Sequence, residues 1–114
     1  MKKILSALSA VIILGSTHTV IACGFAKSTD DPQFCHSFAQ VARCTCEEKM
    51  PDFMCKSVDQ VYDIMILRYQ SQENACHHQT RTSFQTCMDD WNCYRLGGKD
   101  SNGNLCSSTG KACM

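Results

Sequence analysis

Ten of the 114 residues are cysteine, and their spacing constrains the fold more than any other feature. The stretch Cys76 to Cys93, CHHQTRTSFQTCMDDWNC, contains no Gly or Pro and reads as one helix. At 100° per residue Cys76, Phe84, Cys87, Trp91 and Tyr94 share one sector, so the two cysteines are expected on the buried face. Eleven residues of helix separate Cys76 from Cys87, about 16 Å, whereas a disulfide tolerates ~7 Å between Cα atoms. Each is therefore expected to pair with another element. Cys35 and Cys46 repeat the offset in FCHSFAQVARCTCEE, which predicts Cys35–Cys76 and Cys46–Cys87 rungs between parallel helices, or the swapped pairs if the helices run antiparallel. Cys44 lies about half a turn off that face and is matched to Cys55. Cys93 suits Cys106, leaving Cys113 for Cys23 or alone.

Met1 to Ala22 has a basic start (Lys2, Lys3), an apolar run from Ile4 to Gly15, a polar patch and a small residue at the junction. This is the pattern of an export signal, and the apolar run falls short of the ~20 residues a spanning helix needs. Val20-Ile21-Ala22-Cys23 also resembles a bacterial lipobox, so lipidation of Cys23 is expected, with Gly24 in the second position pointing to the outer membrane. Against it, removing Cys23 leaves nine cysteines, an odd number for a disulfide framework. Cleavage after Ala22 leaves 92 residues with nine basic and eleven acidic side chains, and no basic patch for nucleic acid. One domain of this size has a marginal core and commonly relies on disulfides in an oxidising compartment.

The fold class expected is all-α: a small disulfide-stapled bundle of about three helices with an irregular, cysteine-pinned C-terminal tail. Residues 1–22 form the signal, 23–30 a tether, 31–96 the helical domain and 97–114 the polar tail. The first helix should start at Asp31-Pro32 and stop before Pro51, with Phe34, Cys35, Phe38, Val41, Ala42 and Cys46 inward. The second should open at Ser57, where Gln60 completes a capping box. Its core stripe is Val58, Val61, Tyr62, Met65 and Tyr69. Ile64 and Leu67 lie off that stripe and are either covered by a third helix or form a patch that binds a partner protein. A break near Ser71 to Asn74 avoids a single helix of about 58 Å, and Gly97-Gly98 ends the third helix. Paired cysteines on helices resemble those of the mitochondrial coiled-coil-helix proteins. Their motif is twin C-x9-C, whereas the intervals here are ten residues with an intervening helix, so the resemblance is one of shared physics and assigns no family.

Cys44-Thr45-Cys46, Cys76-His77-His78, His36, Met50, Met54 and Met88 are ligand types for soft or borderline metals. Their spacing lacks CxxC and HxxxH, and disulfides should consume the thiols. Asp100-Ser101-Asn102-Gly103-Asn104 opens like a calcium loop, but Leu105 replaces the turn glycine and Lys111 the bidentate glutamate. The acidic pairs, Asp89-Asp90 among them, read as surface charge. No GxSxG, HExxH or phosphate loop is present. The function expected is therefore non-enzymatic, with no cofactor, metal or nucleic acid, in a rigid domain too small for a substrate cavity. The leading reading is a structural or accessory subunit of a periplasmic or outer-membrane assembly, such as a secretion or conjugation system, that binds an envelope protein and is membrane-attached through lipid on Cys23. A released disulfide-rich effector, toxin or inhibitor is the second reading, and a periplasmic metal-handling protein the third.

Overall fold

The computed structural model describes residues 23–114, and the expected export signal over residues 1–22 lies outside the described residues. Four α-helices carry the fold: α1 (Phe34–Glu47), α2 (Val58–Tyr69), α3 (Gln72–His78) and α4 (Phe84–Leu96), with 3-10 turns at Asp52–Met54 and Cys106–Ser108. There are no strands among the described residues, apart from one antiparallel bridge of Lys99 to Leu105. α1 packs on α2 and α4, and α3 packs on the same two helices.

The helix starts follow side-chain chemistry. Asp31 does not cap α1 itself: its carboxylate accepts from Gln33 N at 2.7 Å and its carbonyl from Phe34 N at 2.9 Å, and the helix begins at Phe34 after this turn. At α2 the expected capping box forms in full, with Ser57 Oγ accepting from Gln60 N and Gln60 Oε1 from Ser57 N. α2 ends where Gln70 turns left-handed at φ 72°, and Ser71, rather than Asn74, caps α3 by accepting from Asn74 N.

One long helix over Cys76 to Cys93 does not occur, and the expected three helices become four. α3 stops at His78, residues 79–83 cross over as a loop, and Ser83 caps α4 by accepting from Thr86 N at 3.1 Å. The physical reason lies in the run Thr80-Arg81-Thr82-Ser83, whose hydroxyl residues compete for backbone groups and favour caps over helix interiors. Folding α3 back on α4 brings the Cα atoms of Cys76 and Cys87 to 5.5 Å, and they bond to each other. The Cys35–Cys76 and Cys46–Cys87 rungs are thereby replaced.

All ten cysteines are paired. Cys46 bonds to Cys55 across the α1–α2 turn, Cys44 bonds to Cys23 rather than to Cys55, Cys35 bonds to Cys113, and Cys93 bonds to Cys106. The Cys23 Sγ is bonded to Cys44, a bond incompatible with a lipid thioether on the same sulfur, and with Cys23 in the framework the number of paired cysteines is even, in line with the odd-number objection to lipidation. α1 thus carries three cysteines that anchor the tether, the tail and the α1–α2 turn.

The core is an aromatic cluster centred on Phe38. Its ring lies 5.5 Å from Phe34, 4.9 Å edge-on from Trp91 and 5.2 Å from Tyr94. Tyr62 of α2 meets Trp91 at 5.3 Å, and the Arg95 guanidinium covers the outer face of Tyr62 at 4.0 Å. Gln72 ties three helices together, accepting from Tyr62 Oη at 3.3 Å and donating to Asn92 Oδ1 at 2.9 Å.

Residues 97–114 are held by backbone as well as by cysteine. Gly98 N donates to Gly110 O, Cys106 N to Gly98 O, Ser107 N to Thr29 O and Cys113 N to Tyr94 O. Gly97 has φ +71°, and a Cβ there would come within 2.6 Å of Ala112 N and Gly110 O, so only glycine lets the tail pass this close to the end of α4.

Candidate functional site

A cleft of about 480 Å3 opens between the tether, α1, α2 and the α3–α4 loop. Phe38, Val41 and Ala42 of α1, Val61, Ile64 and Met65 of α2, Ala75 of α3, and Cys87 and Trp91 of α4 give it an apolar floor. Its rim is irregular chain: Gly24-Phe25-Ala26 of the tether, Glu48-Lys49-Met50 after α1, and Gln79 to Thr82 of the α3–α4 loop. This volume falls within the ~300–1,000 Å3 of small-molecule sites. The expectation that the domain leaves no room for a cavity is corrected, because the broken third helix puts a loop where a continuous helix would have filled the space.

Each rim segment is fixed by a disulfide. The tether enters directly from Cys23, bonded to Cys44; Glu48-Lys49-Met50 lies within the Cys46–Cys55 loop; Gln79 to Thr82 lies within the Cys76–Cys87 loop. Arg81 crosses between rim segments, donating to Thr45 Oγ1 at 3.1 Å and pairing with Glu48 at 3.5 Å. A rim built of short covalent loops loses little conformational freedom when a ligand is seated, which is the condition for a pre-organised site.

The polar group on the apolar side of the cleft is Asp90. Its neighbour Asp89 is engaged elsewhere, accepting from Gln85 Nε2 at 3.2 Å, Ser101 N at 3.1 Å and Ser101 Oγ at 2.6 Å, which pins the tail to α4. Asp90 lines the cleft instead, half-buried beside Trp91. Burial, and secondarily the Asp89 charge, push its carboxyl up to about 7. The reading of both acids as surface charge therefore fails for Asp90, whereas Asp89 makes its contacts at the surface. The signal that could have separated them is spacing, since Asp90 follows Cys87 by three residues and shares its side of the helix.

Ile64 and Leu67 are parted by the fold. Ile64 is half-buried and lines the cleft, whereas Leu67 is 83 % exposed and lies outside it. They do not form one patch, because α2 turns its Ile64 side under the rim and leaves Leu67 in solvent.

The remaining candidates are dispersed. His77 stacks on Phe84 at 4.1 Å, and His78 stacks on Tyr69 at 4.8 Å with its Nδ1 at 2.9 Å from Asn74 O. His36 is exposed on α1. Among the described residues no three His, Cys, Asp or Glu side chains converge on a metal-sized site. In the Asp100 loop the carboxylate is occupied by the chain itself. Its Oδ1 accepts from Asn102 N and Asn104 N and its Oδ2 from Thr29 Oγ1 at 2.7 Å, and the Thr29 bond leads in holding this carboxyl below the usual range.

No protein-family model, curated protein or solved structure matches the chain.

Proposed function

We propose that this is a non-enzymatic binding protein of the bacterial cell envelope, and that the cleft is where it holds an apolar ligand. The observation that carries the reading is the covalent rim: three of five disulfides each fix one irregular segment around the same apolar floor. A fold needing only stability could have placed those staples anywhere. Five disulfides fit an exported chain in an oxidising compartment, and no described helix is long and apolar enough to cross a membrane.

Nile red, a neutral apolar dye, tests the site. The oxidised protein should bind it saturably at one site, and Val41→Trp, which fills the floor of the cleft, should reduce that affinity by about tenfold or more. Absence of saturable binding, or binding indifferent to Val41→Trp, would remove the proposal.

A second reading, an accessory subunit of an envelope assembly such as a secretion or conjugation system, has its own support in the outer surface. Leu67 is 83 % and Phe53 68 % exposed. Large apolar side chains in water are common singly, so these residues define a contact surface only if they act together.

A further inference from the structure

Among the described residues Asp90 is a carboxyl group without a partner. No described donor hydrogen-bonds to it and no described cation pairs with it. The other charged groups lining the cleft come from four segments and are engaged elsewhere or stand in solvent. Arg81 is held by Thr45 and Glu48, Arg68 lies 5.7 Å over the Tyr69 ring, His78 is held by Asn74 and Tyr69, and Lys49 is exposed. The charge that acts on Asp90 is the like charge of Asp89. Asp90 is half-buried and lines the apolar cleft, so its carboxyl is placed to meet a donor that a seated ligand brings, one that would replace the water it otherwise faces.

We infer that the cleft takes an apolar amine, a compound whose aliphatic body lies on the Phe38, Val41, Ile64 and Trp91 floor and whose ammonium group is bound by the Asp90 carboxylate. An anionic headgroup at this position would add a third negative charge beside Asp89 and Asp90. A neutral ligand without a donor would leave the carboxylate unpaired. An ammonium supplies both the opposite charge and up to three donors, and a charge-assisted bond is stronger than a neutral one. The inference rests on the cleft being the ligand site proposed above and adds the chemistry of its headgroup.

Trp91 is the only tryptophan in the chain and lines the cleft, so its fluorescence reports occupancy directly. The test compares dodecylamine with 1-dodecanol, which share a chain and differ in headgroup, the amine kept below its micellar concentration and the alcohol below its solubility limit. At about pH 8 dodecylamine should bind about tenfold or more tightly than dodecanol. Asp90→Asn should abolish that preference. In the unsubstituted protein the preference should shrink between about pH 8 and about pH 5.5 as the carboxyl takes up its proton, a measurement that stands even if the variant folds poorly. Equal binding of the two ligands would overturn the amine assignment and leave the apolar cleft standing. An amine preference that survives Asp90→Asn would overturn it too, by placing the headgroup elsewhere. Failure of both ligands to change Trp91 fluorescence would overturn the amine assignment together with the cleft function beneath it.

Discussion

At Asp90 the folded chain binds a proton more tightly than the unfolded chain, because burial and then Asp89 raise its carboxyl from 3.8 to about 7. The sign follows from linkage: this contribution to stability is fully present below the unfolded value and is lost as pH rises through about 7. Asp90→Asn should therefore flatten the decline, making the variant more stable than the parent by on the order of 2–4 kcal/mol at about pH 8 and nearly equal to it at about pH 4. Urea unfolding at the two pH values measures this, and parallel stability profiles would contradict it. Sequence alone did not separate Asp90 from Asp89. An acidic pair on a helix is ordinarily solvated, and what distinguishes these two is the arrival of Ser101 at one and the tether and α2 near the other. Neither neighbour is close in the chain. By contrast the Ser57–Gln60 box was legible because both partners of that interaction lie within one helical turn.

Among the elements, the starts of α1 and α2 and the break between α2 and α3 were readable within a few residues. The break at 79–83 was not. It lacks Gly and Pro, and its marker is the hydroxyl cap Ser83, which counts for little beside an apolar face that continues through it on a helical wheel. Missing that break turned an intra-hairpin disulfide into two expected interhelical ones and hid the cleft. It also changes what α2 does. With α3 and its loop folded over one side, Ile64 contributes to the cleft and Leu67 does not. Leu67→Asp should leave the melting temperature close to the parent's, a change within about 0.5 kcal/mol. Ile64→Asp should cost about 1–3 kcal/mol and abolish Nile red binding. Circular dichroism melts with a dye titration separate the two, and equal destabilisation would contradict the division of α2 into a cleft side and a solvent side. If Leu67→Asp instead releases an envelope partner while stability is unchanged, the accessory-subunit reading gains the contact it needs.

On the scale of the whole molecule the disulfides divide the labour. Cys35–Cys113 closes a separation of 78 residues and Cys46–Cys55 one of nine, worth about 4.5 and about 2.6 kcal/mol respectively in the loop-entropy account. The longest joins the tail to α1, and Cys93–Cys106 joins it to α4, so the two secure residues 97–114 over one end of the aromatic core. The other three, Cys23–Cys44, Cys46–Cys55 and Cys76–Cys87, surround the cleft. The all-helical, disulfide-stapled class was legible because cysteine density and helical periodicity are properties of sequence. Connectivity was not, because it depends on where helices stop. The pairing therefore carries the account, and peptide mapping of the non-reduced protein tests it most directly. Five linked pairs should be found: Cys23–Cys44, Cys35–Cys113, Cys46–Cys55, Cys76–Cys87 and Cys93–Cys106. Peptides of Cys35 and Cys46 linked to those of Cys76 and Cys87, or a lipid thioether on Cys23 with Cys44 left free, would contradict it.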